Sequence, residues 1–168
     1  MKILILGGTK FVGRHLVDAA RARGHEITLF HRGMTNPDLF PDVEHLLGDR
    51  DGGLAPLAGR MWDCAIDTCG YVPRLVRAAT SILEGCVIHY TFISSLSVYK
   101  EFGAPYQDET ALVGTIEDPK IEEITGETYG LLKVLCEHAA EEAFPGGVLN
   151  VRCGVIVGPH DPTDRFTY

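Results

Sequence analysis

The sequence contains no apolar run near the roughly 20 residues that a membrane-spanning helix requires. Its apolar beginning, residues 1–6, passes directly into a glycine turn, unlike the leader of a secreted protein. Basic residues are also scarce, because 15 Lys and Arg stand against 23 Asp and Glu and give a formal net charge of -8. That charge opposes non-specific attraction to nucleic acid or to an anionic membrane. We therefore expect a cytoplasmic protein that binds no membrane and has no general affinity for nucleic acid.

Cysteine is present without the spacing of a metal site or a disulfide framework. The five thiols form an odd set with no Cys-x-x-Cys pair, as expected of buried free cysteines. They are Cys64, Cys69, Cys86, Cys136 and Cys153. His160, Asp161 and Asp164 lie near one another in the sequence, but in a proline-containing loop without ligand-type spacing. No metal ion is expected.

The chain has 168 residues, of which 45% are hydrophobic, enough for one sizeable core and most simply one domain. Short apolar runs alternate with helical patterns along it. The predicted strands are Lys2–Leu6, 26–30, 43–47, Cys64–Asp67, 87–93 and 148–152, and the predicted helices are 11–24, 75–83 and 127–144. This alternation predicts an α/β fold with a doubly wound parallel sheet, in which ligand binds beyond the carboxyl ends of the strands. The long acidic stretch 100–126 carries no predicted element, and we expect it to border the ligand cleft.

A glycine-rich turn follows the first predicted strand and leads into an amphipathic helix. It consists of Gly7, Gly8, Thr9, Lys10, Phe11, Val12 and Gly13. Glycines permit a tight turn and a close approach of backbone to pyrophosphate, and the helix N-terminus offers free N–H groups to phosphate. Lys10 stands where such turns usually have a middle glycine, so its side chain lies near the phosphates or contacts them. The position of the turn between strand and helix predicts a nucleotide site rather than a plain turn.

The residues after the second and third strands indicate which dinucleotide is bound. An acidic residue at the end of the second strand meets the ribose hydroxyls of NAD, whereas a basic one meets the 2′-phosphate of NADP. Here the residues are His31 and Arg32, so we favour NADP over NAD; the alternative for Arg32 is a solvated surface charge. Asp49 is placed to accept a hydrogen bond from the adenine amino group, although an Asp in a turn is more often structural. Arg50 beside it is counted with the cofactor-binding residues.

Tyr129 and Lys133 form a Tyr-x-x-x-Lys pair within the last predicted helix. Positions i and i+4 share one helical face, so the ammonium can lie beside the phenol. An adjacent positive charge favours the phenolate, as general acid/base catalysis at neutral pH requires. The pair therefore predicts acid/base chemistry of the redox type.

Five segments form a joint pattern that spans nearly the whole chain. They are residues 7–13, Asp49, 63–68, 92–99 and the Tyr129/Lys133 pair. Their order and spacing resemble the extended short-chain dehydrogenase/reductase family, specifically its NAD-dependent epimerase/dehydratase-like proteins. The resemblance implies a Rossmann-type sheet.

The resemblance also implies roles for individual side chains. Tyr129 is the catalytic acid/base, and Lys133 makes its phenol more acidic and holds the nicotinamide ribose. Ser95 donates a hydrogen bond to the substrate oxygen; Ser94 and Ser97 compete for that role, but counting back from Tyr99 matches Ser95 to the catalytic hydroxyl of the family. Thr68, Cys69 and Gly70 line the nicotinamide side of the cleft.

The sequence departs from the family pattern at three places. Leu96 and Ser97 stand where the dehydratases carry an Asp-Glu pair, so sugar dehydration is not expected. Val155 stands where nucleotide-sugar epimerases commonly have an Asn, and His31 replaces the usual acidic residue for NAD. These departures indicate an atypical branch, whose members include reductases, nucleotide-sensing regulators and a plant RNA-binding group.

The domain organisation follows from the same resemblance. Residues 1–158 are expected to form an NAD(P)-binding domain, and residues 159–168 resemble the start of a substrate-binding region whose remainder is missing. With this C-terminal substrate lobe largely absent, exposed apolar surface and a homo-oligomer are expected.

Two functions from different classes remain. The first is an NAD(P)-dependent oxidoreductase or epimerase-like enzyme acting on the hydroxyl or carbonyl of a small, sugar-like substrate. Whether a chain of this length, without the substrate lobe, is active is left open at this point. The second is a non-catalytic NAD(P)-binding regulator or RNA-associated protein on the same fold. The intact set of Ser95, Tyr129 and Lys133 favours the first, and the net charge opposes the RNA version of the second.

Overall fold

The computed structural model describes residues 1–101, 105–116, 118 and 120–163. Within these ranges the strands are β1 Lys2–Leu6, β2 Glu26–His31, β3 Glu44–Leu47, β4 Cys64–Asp67, β5 His89–Ser95 and β6 Val148–Cys153. The α-helices are α1 Phe11–Ala22, α2 Pro73–Leu83 and α3 Thr128–Ala143, and short 3₁₀ turns cover Ala55–Leu57 and Leu96–Val98. Asp164 and the rest of the predicted substrate-region start beyond residue 163 lie outside the described residues. None of the helices in these ranges combines the length and apolar character needed to cross a membrane.

The six described strands form one sheet in the order β3-β2-β1-β4-β5-β6, and every neighbouring pair is parallel. The chain moves outward from β1 to β3 and then returns to β4 on the other side of β1. This reversal makes the carboxyl ends of β1 and β4 a topological switch point, where open α/β sheets bind ligand. The predicted Rossmann-type, doubly wound parallel sheet is confirmed.

The sheet is buried on both faces because helices cover each side. Side chains alternate along β1, so Leu4 packs on one face with Val76 of α2 and Ala139 of α3. Ile5 points to the opposite face and packs with Val17 of α1. Both β1 side chains are fully buried, which explains why this strand reads as a continuous apolar run. The rigid sheet fixes where its strand ends, and the loops after them, lie.

The long connection from β5 to α3 is held at several points. Tyr99 and Val113 form an antiparallel bridge, which folds the first part of the connection back on itself. Further along, Glu122 accepts a hydrogen bond of 2.7 Å from Arg74 of α2, and Arg74 also donates to Asp51 at 2.9 Å. The connection is therefore fastened to α2 before α3 begins.

Candidate functional site

A cleft of about 590 Å³ opens at the carboxyl ends of β1, β2 and β4. The glycine turn forms one wall, and the segments that follow β2, β3 and β4, with Leu75 of α2 and residues 161–163, form the others. The predicted cofactor-binding residues that line it are Gly7, Gly8, Thr9, Lys10, Phe11, Val12, Gly13, His31, Arg32, Asp49, Arg50, Thr68 and Cys69. Gly70 and Lys133 do not line this cleft, nor does any described residue of the 100–126 connection. The structure thus brings together most of the predicted cofactor residues.

The glycine turn leaves no room for side chains at its three glycines, Gly7, Gly8 and Gly13. Gly7 has a φ of +105°, and a Cβ there would lie 2.3 Å from Thr68 Oγ1. A Cβ on Gly13 would lie 2.7 Å from the backbone nitrogen of Gly8, so the first turn of α1 packs directly against the turn. Lys10, by contrast, has an extended backbone and an exposed side chain. The turn therefore accommodates a lysine at this position.

The N-terminus of α1 faces the cleft without a side-chain cap. Lys10 occupies the capping position and makes no capping hydrogen bond, and the first turn contains no acidic residue. Free N–H groups and the positive end of the helix dipole are therefore available to an anion. Together with the glycine cradle, this arrangement fits the pyrophosphate of a dinucleotide.

Arg32 and Asp49 face each other across the mouth of the cleft. Their side chains approach to 4.0 Å and are largely exposed, with 68% and 52% of their surfaces accessible. Asp49 Oδ1 also accepts a hydrogen bond of 2.9 Å from the backbone N–H of Asp51. Asp49 therefore stabilises its own turn, which is the structural role expected of an Asp in a turn, and it also lies at the edge of the cleft.

His31 lines the cleft, but neither ring nitrogen is directed to a ligand. Nδ1 lies 3.0 Å from the backbone N of Gly33, and Nε2 lies 2.8 Å from Nδ1 of His45. His31 is buried, with 9% of its surface exposed. His31 therefore contributes to the cleft indirectly, because it positions the loop that follows β2.

Arg50 forms part of a buried network beneath the cleft. Its guanidinium donates to both carboxylate oxygens of Asp67, at 2.6 and 2.8 Å. Asp67 is fully buried and also accepts hydrogen bonds from the Tyr90 hydroxyl at 2.7 Å and from the backbone N–H of Cys69 at 3.0 Å. Burial raises the pKa of Asp67, but the charge and hydrogen bonds of Arg50, with those of Tyr90 and Cys69, outweigh it and lower the pKa overall. The network fixes the end of β4.

The sequence prediction missed Asp67 and Tyr90 as parts of the site. A signal was available, because Asp67 ends an otherwise apolar strand and a buried carboxylate requires a cationic or hydrogen-bonding partner. The partner could not be chosen from the sequence, since Arg50 is 17 residues away. Arg50 itself was assigned to the cofactor, and it reaches the cleft with only 8% of its surface exposed.

Lys133 is buried at the junction of α3 with the ends of β4 and β5. Its ammonium donates to the carbonyl oxygen of Gly70 at 2.8 Å and to that of Ile93 at 2.7 Å. The same nitrogen lies 4.4 Å from the ring centre of Phe92 and 4.9 Å from that of Tyr71. Burial lowers the pKa of Lys133, and the negative charge of Asp67 opposes that effect.

Tyr129 lies one turn before Lys133 on α3 and is half-buried, with its ring centre 6.4 Å from that of Tyr71. In the part of the chain that the structure describes, no hydrogen bond joins the phenol to Lys133. The next residue, Gly130, packs so tightly that a Cβ would lie 2.0 Å from the carbonyl oxygen of Ser97. The start of α3 therefore lies directly against the 3₁₀ turn that follows β5.

The three serines at the end of β5 have different environments. Ser95 is half-buried, and its hydroxyl oxygen accepts a hydrogen bond of 3.1 Å from the backbone N–H of Ser97 while donating to the Ser97 hydroxyl. Ser94 is 4% exposed, and its oxygen has no partner among the described groups. Ser97 is exposed. Ser95 thus combines partial exposure with a position fixed by Ser97.

Within the described residues, no group of three or more His, Cys, Asp or Glu side chains is placed to hold a metal ion. The five cysteines are free thiols. Burial raises the pKa of Cys136 to about 12, so that this thiol is inert near neutral pH.

Comparison with known proteins extends these observations. No family model matches the sequence. The chain is 32% identical over 138 residues to the chloroplast stem-loop binding protein of 41 kDa b of Arabidopsis thaliana, covering 71% of this chain and 34% of that protein. It is 39% identical over 84 residues to a bifunctional pinoresinol-lariciresinol reductase of Forsythia intermedia, covering 50% of this chain and 26% of that protein. The matches therefore span about a third or less of these curated relatives.

Solved structures show the same fold at lower identity. The UDP-glucuronic acid 4-epimerase of Bacillus cereus, solved in complex with NAD, superposes with a TM-score of 0.70 at 17% identity, covering 95% of this chain and 59% of that one. A UDP-galactose 4-epimerase superposes with a TM-score of 0.72 at 23% identity, covering 95% of this chain and 58% of that one. The resemblance inferred from the sequence is thereby confirmed: the chain has the Rossmann-type fold of the NAD-dependent epimerase/dehydratase-like proteins of the extended short-chain dehydrogenase/reductase family.

Proposed function

We propose that the cleft binds a nicotinamide dinucleotide, with NADP preferred over NAD, for hydride transfer at the hydroxyl or carbonyl of a small substrate. The observation that carries the proposal is the glycine cradle at the switch point, where Gly7 and Gly13 have no room for a side chain. The uncapped N-terminus of α1 adds a place for phosphate. The chain then supplies the cofactor fold and the catalytic trio of an oxidoreductase or epimerase-like enzyme.

The catalytic roles follow from the contacts of the trio. The bound nicotinamide supplies or accepts the hydride. Tyr129 moves the proton at the substrate oxygen. Ser95 donates a hydrogen bond to the same oxygen once its hydroxyl proton turns from Ser97 Oγ to the substrate. An ammonium has three N–H bonds, and Lys133 uses two of them on the carbonyls of Gly70 and Ile93. The third is left for the nicotinamide ribose.

The preference for NADP rests on the end of β2. Arg32 is an exposed cation at the mouth of the cleft, and no acidic residue ends β2 to meet the ribose hydroxyls of NAD. Lys10 adds a second exposed cation beside the glycine turn, within reach of a phosphate group. Both features favour a ligand with an additional phosphate.

Calorimetric titration of the chain with NADPH and NADH at equal salt tests both parts of the proposal. A preference for NADPH of about tenfold, equivalent to about 1.4 kcal/mol, is expected. Arg32→Ala should remove most of that preference. Arg23→Ala, an exposed arginine beyond the far end of α1, is the matched control and should leave it unchanged. Binding of neither dinucleotide would contradict the proposal, and equal losses for both in Arg32→Ala would contradict the role of Arg32.

A second candidate function is favoured by one observation. The relative from Arabidopsis thaliana, 32% identical over 138 residues, is named as a stem-loop binding protein. A non-catalytic nucleotide-binding regulator or RNA-associated protein on this fold is therefore the alternative. The net charge of -8 opposes it. Fluorescence anisotropy with a labelled RNA stem-loop decides, because a true complex weakens steeply with salt and an absent one gives no signal at any salt.

Self-association is proposed from exposed apolar side chains in the edge strand β6 and in the segment after it. Leu149 of the edge strand β6 is 52% exposed, and Val155 and Val157 after it are 66% and 47% exposed. Sedimentation velocity over a range of concentrations measures the oligomeric state. A monomer at all concentrations would contradict the proposal.

A further inference from the structure

His31 and His45 form one directed chain of hydrogen bonds between β2 and β3. The backbone N–H of Gly33 donates to Nδ1 of His31 at 3.0 Å, so this nitrogen carries no proton. The proton of His31 must then be on Nε2, which lies 2.8 Å from Nδ1 of His45. His45 in turn places its proton on Nε2, 3.1 Å from the carbonyl oxygen of Phe40. Because an amide donor and a carbonyl acceptor end the chain, both rings are neutral and both tautomers are determined.

This series of hydrogen bonds through the two histidines holds both ends of the loop that follows β2. Gly33 lies at its beginning and Phe40 near its end, and the two histidines connect them. Between them, the Asn36 side chain donates to the carbonyl oxygen of Thr9 at 2.8 Å, which ties the loop to the glycine turn. Arg32 belongs to the same loop and lines the cleft. The position of Arg32 therefore depends in part on Asn36 and His45, which do not line the cleft.

A proton added to either ring breaks this series of hydrogen bonds. On His31, the new Nδ1–H would point at the N–H of Gly33. On His45, it would point at the Nε2–H of His31. Burial, and then the repulsion that a positive charge on His45 would exert, lower the pKa of His31, so the folded protein resists protonation of this ring.

The charged groups near the pair have other partners. Glu44, next to His45, accepts hydrogen bonds from Thr28 and Arg60. Across the cleft, Asp49 faces Arg32, and Arg50 is paired with Asp67. Among the described residues, no carboxylate bonds to either imidazole, so a proton on the pair would have no counter-ion.

We infer that His45, which does not line the cleft, is a positioning residue that acts through His31 to hold Arg32 for recognition of the 2′-phosphate. The inference rests on the proposed binding of NADP. It adds that the affinity for a 2′-phosphate falls on mild acidification because the neutral histidine chain is lost. The predicted role of His31 thereby becomes indirect, through the loop.

The test uses 2′,5′-ADP, which carries the 2′-phosphate, and ADP, which lacks it, titrated calorimetrically from pH 8 to pH 5.5. His45→Gln retains an acceptor and a donor without a titrating ring, so it should bind 2′,5′-ADP like the original chain at pH 8 and lose less affinity on acidification. His45→Phe removes both bonds and should weaken 2′,5′-ADP about fivefold at pH 8, the equivalent of one hydrogen bond, while changing ADP little. His138→Gln, an exposed histidine on α3, is the control. The ligand phosphate titrates equally in every experiment, so differences between variants report on the protein.

Nitrogen-15 NMR of the imidazoles gives a readout that loss of packing alone would not produce. Both rings should show the neutral tautomer with the proton on Nε2 at pH 8 in the original chain, and His31 should keep it in His45→Gln. A different tautomer would overturn the inference. So would equal affinity of His45→Phe and the original chain for 2′,5′-ADP, or, if His45→Phe does not fold, an unaltered pH profile in His45→Gln. If the original chain binds neither ligand at pH 8, the proposed function fails together with the inference; binding with no effect of His45 overturns the inference alone.

Discussion

Lys133 on α3 donates a hydrogen bond of 2.8 Å to the carbonyl oxygen of Gly70, in the loop that follows β4. A second bond of 2.7 Å reaches the carbonyl oxygen of Ile93 on β5. One side chain thus joins a helix to the ends of two neighbouring strands, at the edge of the sheet where the proposed chemistry takes place. Lys133, which we propose as a catalytic residue, therefore also stabilises the fold.

Lys133→Met should destabilise the chain as well as impair the site. Methionine keeps much of the apolar stem but leaves two carbonyl oxygens without a donor, which costs about 1–3 kcal/mol of the free energy of unfolding. Urea unfolding followed by circular dichroism measures the change. Lys2→Met is the matched control, because Lys2 is exposed and 3.9 Å from its nearest acidic partner. Equal stability of Lys133→Met and the original chain would show that these two bonds contribute nothing.

Tyr129→Phe should separate chemistry from binding. The phenol oxygen makes no hydrogen bond among the described residues, and the ring packs 6.4 Å from that of Tyr71, so phenylalanine can take its place. We expect turnover to be lost while the dissociation constant for NADPH stays nearly unchanged. Single-turnover absorbance of NADPH with a panel of small carbonyl compounds, and calorimetry for the affinity, measure the two quantities. Retained turnover in this variant would exclude Tyr129 as the acid/base.

The sequence was sufficient to predict the sheet because β1 and its neighbours are apolar on both faces and alternate with helices. β1 and β4 were predicted with their observed bounds, and the predicted β5 began two residues before His89. The glycine turn was equally clear, since Gly7 and Gly8 adopt a positive φ and Gly13 packs against the backbone of Gly8. The strands and the glycine turn are determined by the order of residues within one short segment, so the sequence of that segment is enough to predict them.

Contacts between distant segments could not be predicted in the same way. Asp67 contacts Arg50 and Tyr90 only because the folded sheet brings together β4, β5 and the loop after β3. The pairing of His31 with His45 likewise depends on the register of β2 against β3. Polar partners of this kind depend on strand order and register, which the pattern of one segment does not contain.

Asp67→Asn should lower stability at neutral pH and reduce its dependence on acid. The change leaves the Arg50 guanidinium buried without a counter-ion, and breaking a buried pair costs about 3–5 kcal/mol. Because the folded chain lowers the pKa of Asp67, the carboxylate stabilises the fold above its ordinary pKa near 3.8 and loses this effect as pH falls below that value. The difference in unfolding free energy between variant and original chain should therefore shrink in acid.

Asp51→Asn is the control for that experiment. Asp51 also pairs with an arginine, Arg74, but at an exposed position where water replaces the interaction. Its substitution should change the urea midpoint far less than Asp67→Asn at pH 7. If the two substitutions have equal effects, the buried network does not stabilise the end of β4.

Gly130→Ala tests the contact between α3 and the turn that carries the serines. In the interior of a helix, alanine normally stabilises by up to about 1 kcal/mol relative to glycine. Here a Cβ would lie 2.0 Å from the carbonyl oxygen of Ser97, so either α3 or the turn Leu96–Val98 must move. Stability should fall rather than rise, and turnover should fall further, because Ser95 and Tyr129 would no longer keep their relative positions. Gly126→Ala is the control, since a Cβ there meets nothing within 4 Å. Thermal unfolding and NADPH oxidation of the two variants measure both effects, and a more stable Gly130→Ala would show that this close contact does not constrain the site.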